Sequence, residues 1–180
     1  MTPHGLQLVV LTLNLFFAVL FQDLLPVTSW MPVKIGFLTA VPLYAALVKP
    51  TPIAMVTALV AGGMHDALGG LPMCCTSCFL LAMVGLTRLL KQFFLEATVL
   101  HGIAYCGVVM VLQGIWTRLW PEVNEPLTFA QSLMRWVYLF PAGMIAGGVG
   151  FAWCGLADRL AGLVKPVEEG DGIFWSEIDR

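Results

Sequence analysis

From Ile53 to Pro72 the chain reads IAMVTALVAGGMHDALGGLP, an apolar run that carries an acid, Asp66, well inside it and then breaks on Gly69, Gly70 and Pro72. The surrounding composition is 59% hydrophobic and 11% charged over 180 residues, with a mean hydropathy of +0.87. Such a chain has too little charge to cover a soluble surface, so an all-α integral membrane protein is expected. In that setting a carboxylate inside a span costs free energy unless something partners it, and the neighbouring helices must supply the partner. Ile53 to Leu68 is about 16 residues, or roughly 24 Å of helix against a hydrocarbon core of roughly 30 Å. The third helix is therefore expected to be short or broken, with Asp66 roughly 20 Å from its start and nearer the far interface than the midplane.

The remaining apolar runs bring the expectation to about six spans in one bundle. Gly5 to Leu25 forms the first, interrupted by Asn14 and Gln22 and closed by Asp23, Pro26 and Trp30. It lacks a basic leader and a small-residue cleavage site, and is expected to be retained. Pro32 to Val48 forms the second, with Lys34 able to snorkel at its start, Pro42 implying a kink, and Lys49 marking its end. Lys49 to Pro52 is short enough to make the second and third helices antiparallel neighbours. Met73 to Leu90 and Thr98 to Leu119 follow, the latter with His101, Tyr105 and Gln113. The segment Arg118 to Arg135 is the longest loop, and Trp116, Trp120 and Trp136 around it suggest an interfacial belt. Leu133 to Ala157 is the sixth span, where Gly143 and Gly147 form GxxxG; contact within the bundle is favoured over dimerisation.

Residues 1–165 thus make a six-helix transmembrane domain and 166–180 an acidic tail. Lys49, Arg88, Lys91, Arg159 and Lys165 fall on one side of the membrane, against Lys34, Arg118 and Arg135 on the other. That bias puts both termini in the cytoplasm.

Little chemistry is expected of these residues. The five cysteines lie in apolar stretches, and Cys74, Cys75 and Cys78 have no nearby His or acid to complete a metal site. An aspartyl protease needs two close carboxylates, whereas Asp158 ends the sixth span on the side opposite Asp66. Ser77, Ser132 and His101 sit in no hydrolase motif. The reading is non-enzymatic, with no cofactor, no metal and no nucleic-acid partner. Two accounts of His65 and Asp66 stay open: a structural one, in which Asp66 accepts backbone N–H groups near Gly69 and Gly70 or pairs with Arg118 or Arg135, and one in which it meets a ligand or partner helix.

The proline-containing SWMPVKIGFL, a short connector, the run Gly-Gly-x-x-Asp-x-x-x-Gly-x-Pro and a fourth span ending in basic residues together resemble the rod shape-determining MreD family. Gly62, Asp66 and Gly70 match that family's G-x-x-x-D-x-x-x-G rhythm; Met73-Cys74-Cys75 departs from it, as does the acidic tail. The resemblance covers roughly residues 5–160. It implies a multi-pass protein of the bacterial inner membrane and a scaffold subunit of the cell-wall elongation machinery that determines rod shape. Its implied partners are an MreC-like bitopic protein, a RodA-type glycosyltransferase with its penicillin-binding transpeptidase, the MreB cytoskeleton and the lipid bilayer. The family's fold is similar to the substrate-capture subunit of energy-coupling-factor vitamin transporters, which supplies the alternative function.

Overall fold

A computed structural model describes residues 3–24, 35–93, 99–118 and 129–162. The described chain is all-helical: α1 (Pro3–Leu24), α2 (Phe37–Val48), α3 (Thr51–Gly69), α4 (Cys75–Phe93), α5 (Val99–Arg118) and α6 (Phe129–Leu160), with no strand among the described residues. Two stretches, Gly5–Leu24 in α1 and Leu133–Leu160 in α6, are long and apolar enough to cross a membrane.

The bundle is arranged around α2. Its sequence, FLTAVPLYAALV, has no charged face, and every residue from Phe37 to Ala46 is buried. A helix that is apolar on all sides has to be surrounded, and α2 packs against each of the other five. It starts later than the expected Pro32, because Ile35 and Gly36 are non-helical; Pro32 and Lys34 lie outside the described residues.

The third helix corrects the expectation of a short or broken element. It runs unbroken for 19 residues, about 28 Å, because it begins earlier than Ile53. Pro50 occupies the N-cap and Pro52 the first turn, where the missing N–H costs no intrahelical bond. Its buried residues, Ile53, Ala54, Thr57, Ala58, Ala61, Gly62 and Asp66, recur at helical spacing. The opposite face presents Met55, Val56, Leu59 and Val60, each more than two-fifths exposed. At the far end Gly70 adopts φ +63° and stops the helix, a left-handed conformation that glycine takes without a Cβ penalty.

The last helix also starts earlier than expected. Arg135 and Trp136 belong to α6, so only the central part of the supposed long loop remains between helices. Trp120, Pro121, Glu122 and Glu125 lie outside the described residues, as does the acidic tail. Gly143 and Gly147 face α5: a Cβ on Gly143 would come 2.8 Å from the Cys106 carbonyl oxygen, and one on Gly147 2.8 Å from Cys106 Cβ. The GxxxG pair is spent on the α5–α6 contact inside the bundle.

Candidate functional site

The turn between α3 and α4 must bring two helices back to back with only a few residues to spare, and that requirement explains the residues found there. On one side of the turn, the Asp66 main-chain carbonyl accepts the N–H groups of Gly70 and Leu71, the latter at 3.1 Å. On the other, the Asp66 carboxylate Oδ1 accepts the N–H of Thr76 at 2.9 Å. The first N–H groups of a helix have no intrahelical acceptor, and an acid there also meets the positive end of the helix dipole. Asp66 therefore closes α3 with its backbone and caps α4 with its side chain. The acceptance of backbone N–H was one of the two open accounts, but the carboxylate's donor is Thr76 of the next helix rather than a group near Gly69 and Gly70.

One turn earlier, Gly62 lets the two helices touch. A Cβ at this position would overlap the Cα and N of Ser77, and Ser77 Oγ donates to the Leu59 carbonyl at 3.3 Å. Gly62, Asp66, Thr76 and Ser77 thus form a clasp in which backbone of α4 is held against one face of α3. Pro72 contributes its carbonyl, which accepts the Cys75 N–H at 3.2 Å. Gly69 is the last residue of α3, and a Cβ there would meet only ordinary contacts with the Leu71 and His65 side chains.

His65 joins this end of the bundle to α2 and α5. Thr39 Oγ1 donates to Gln113 Oε1 at 2.8 Å, which turns the Gln113 amide nitrogen toward His65 Nε2 at 3.1 Å. An amide nitrogen only donates, so Nε2 accepts and the proton of the neutral ring sits on Nδ1. Trp116 is half-buried: its indole stacks on Phe79 with centroids 6.1 Å apart and donates to the Cys75 carbonyl at 3.1 Å. Four helices are tied together by these bonds. Asp66 Oδ2 and Thr76 Oγ1 are buried and make no hydrogen bond among the described residues.

The opposite end of the bundle carries a second polar cluster that sequence reasoning missed. Lys49 Nζ lies 2.7 Å from Asp158 Oδ2, with the side chains 4% and 0% exposed. Tyr44 OH donates to the same oxygen at 2.7 Å, and Arg88 Nη2 donates to the Lys49 carbonyl. Lys49, expected to mark the end of the second span, does cap α2 and is in addition a buried counter-ion. The available signal was the placement of both residues at helix ends on the same side. Asp66 stands about 22 Å along α3 from Thr51, beside Lys49, so the two acids are not assembled into one site. Among the described residues no three His, Cys, Asp or Glu side chains gather as a metal site.

Compared with family models, curated proteins and solved structures, the chain has no significant match in any of the three.

Proposed function

We propose that this chain is a six-span scaffold subunit of the bacterial inner membrane, with both termini cytoplasmic, that acts without catalysis in cell-wall elongation and rod-shape determination. The observation that carries the reading is the clasp. Of the residues that resemble the MreD pattern, Gly62 is the point of closest approach, Asp66 the bond between helices and Gly70 the left-handed stop. All three hold α3 and α4 in a fixed relation, and a rigid helix pair is what a protein acting through helix contacts requires. The polar side chains Thr39, Gln113, Tyr44 and Lys49 are likewise engaged within the bundle.

Support for the membrane reading comes from the outward surface. Leu13 and Phe16 of α1, Val56 and Leu59 of α3, and Val137 and Val149 of α6 are all large, apolar and about half exposed. Exposed apolar surface spread over several helices suits lipid rather than water. With 12 residues, α2 reaches about 18 Å, but it is sheathed by its neighbours and need not match the hydrocarbon thickness by itself.

The proposed partner is an MreC-like bitopic protein, and through it the RodA-type glycosyltransferase, its transpeptidase and MreB. Depletion in a rod-shaped host is expected to give round or swollen cells, and membrane extracts to co-purify an MreC-like protein. Normal width after depletion, combined with lost uptake of a vitamin, would replace this reading with the substrate-capture alternative.

A further inference from the structure

We propose that Asp66 Oδ2 and Thr76 Oγ1 form a binding site for a sodium ion at the turn between α3 and α4. The two residues are buried, at 2% and 0% exposure, and neither oxygen makes a hydrogen bond among the described residues. A polar oxygen shut away from water needs a partner or costs free energy. The two belong to one piece of structure: the Thr76 N–H, accepted by Asp66 Oδ1 at 2.9 Å, holds the carboxylate against the residue that carries Oγ1. Gly69, Gly70 and Met73 of the same turn are exposed, which gives a small ion a short way in.

Charge selects the class of ligand. Asp66 Oδ1 is spent on the positive end of α4, a setting that favours the ionised acid. Among the described residues no ion pair reaches Asp66, and the buried pair of Lys49 and Asp158 lies at the opposite end of the bundle. His65 adds no charge, because its Nε2 accepts from the Gln113 amide. A water molecule would pair both oxygens and leave the carboxylate charge uncompensated in an apolar bundle. A proton on Oδ2 would remove the charge and leave Thr76 Oγ1 without a partner, since the two oxygens do not hydrogen-bond to each other. A monovalent cation answers both needs: it brings one positive charge to one carboxylate and takes lone pairs from an acid and a hydroxyl alike.

The oxygen set points to an alkali ion. Calcium gathers roughly 6–8 oxygens, several of them from carboxylates, and softer metals take Cys or His; among the described residues no three His, Cys, Asp or Glu side chains come together. The last turn of α3 adds main-chain carbonyls that have no intrahelical donor, and interrupted helix ends of this kind coordinate sodium in membrane proteins. Packing favours the smaller alkali ion, because α3 and α4 touch at Gly62, one turn from Asp66, where a Cβ would overlap the Ser77 backbone. Bound there, sodium joins the second oxygen of Asp66 to α4 and tightens the clasp, whatever the chain assembles with.

The experiment uses the purified full chain in detergent, with sodium chloride replacing choline chloride at constant ionic strength. The unfolding temperature should rise by a few degrees and saturate with sodium concentration, potassium should give little of the rise, and radioactive sodium should bind at one ion per chain. Asp66→Asn keeps an oxygen for the Thr76 N–H and Thr76→Val keeps the N–H itself, so both variants should fold, lose the sodium response and bind no sodium. Thr57→Val, which removes a buried hydroxyl bonded to the Ile53 carbonyl within α3, should keep the response. An unfolding temperature indifferent to sodium, an equal rise in potassium, or a rise that survives in Asp66→Asn and Thr76→Val would overturn the proposal. Loss of the response in Thr57→Val as well would equally overturn it.

Discussion

Lys49 Nζ and Asp158 Oδ2 meet at 2.7 Å where neither side chain is more than 4% exposed, joining the end of the central helix to the last turns of the longest one. Tyr44 donates to the same carboxylate oxygen and Arg88 to the Lys49 carbonyl, so α2, α4 and α6 converge on one pair of opposite charges. Removing one member of a buried pair strands the other charge in a poorly solvated site, whereas removing both leaves no such charge.

Lys49→Met and Asp158→Leu are each expected to destabilise the protein by roughly 3–5 kcal/mol. The Lys49→Met/Asp158→Leu double variant should recover most of that loss. Thermal unfolding of the four proteins in one detergent forms the cycle, and additive losses would deny the pair any coupling.

Asp66→Asn should keep most of the clasp, because an amide oxygen still accepts the Thr76 N–H. Asp66→Leu strands that donor at a cost of about 1–3 kcal/mol. The same two variants, expressed at matched abundance in a depletion strain, should respectively restore and fail to restore cell shape. Full function of the Leu variant would remove Asp66 from the account.

Gly62 and Gly63 offer a test at adjacent positions. A methyl group on Gly62 collides with Ser77 backbone, so Gly62→Ala should cost about 1–3 kcal/mol as overpacking. On Gly63 the nearest contact would be Ser77 Oγ at 4.0 Å, and Gly63→Ala should be neutral or stabilising by up to about 1 kcal/mol through helix propensity. Equal unfolding temperatures for the two variants would contradict the close approach.

Gly143→Val should lower the unfolding temperature without changing oligomeric state, since the contact it disrupts lies between α6 and α5 of one chain. Light scattering coupled to size exclusion distinguishes this from the loss of a dimer.

Alkaline phosphatase fused after Arg180 should be inactive, and a fusion within residues 122–127 active, as the Lys/Arg bias requires. The reverse pattern would invert the orientation.

What could be read from the chain itself was the part governed by composition and local spacing. High apolar content with little charge implied helices with outward apolar faces, and the Gly and Pro residues of the Ile53–Pro72 run marked the turn after the third helix. GxxxG on the last helix signalled a close backbone contact. Local signals failed at helix starts. Pro50 and Pro52 looked like a boundary but were absorbed into the opening of α3, which made that helix longer and unbroken. They failed more completely for long-range polar pairing. Lys49 and Asp158 are 109 positions apart, from the difference of their numbers (158 − 49 = 109), and each alone reads as a charge at a span end. Nor does Asp66 name its donor in the sequence: an acid beside two glycines is compatible with capping its own helix, the next helix or a distant cation. That choice was made when Gly62 allowed α4 to lie against α3, which set the Thr76 N–H at hydrogen-bond distance. Local sequence determines which residues need partners, because desolvation is a property of each group; which partner satisfies each is decided by the packing of helices that are distant in the chain.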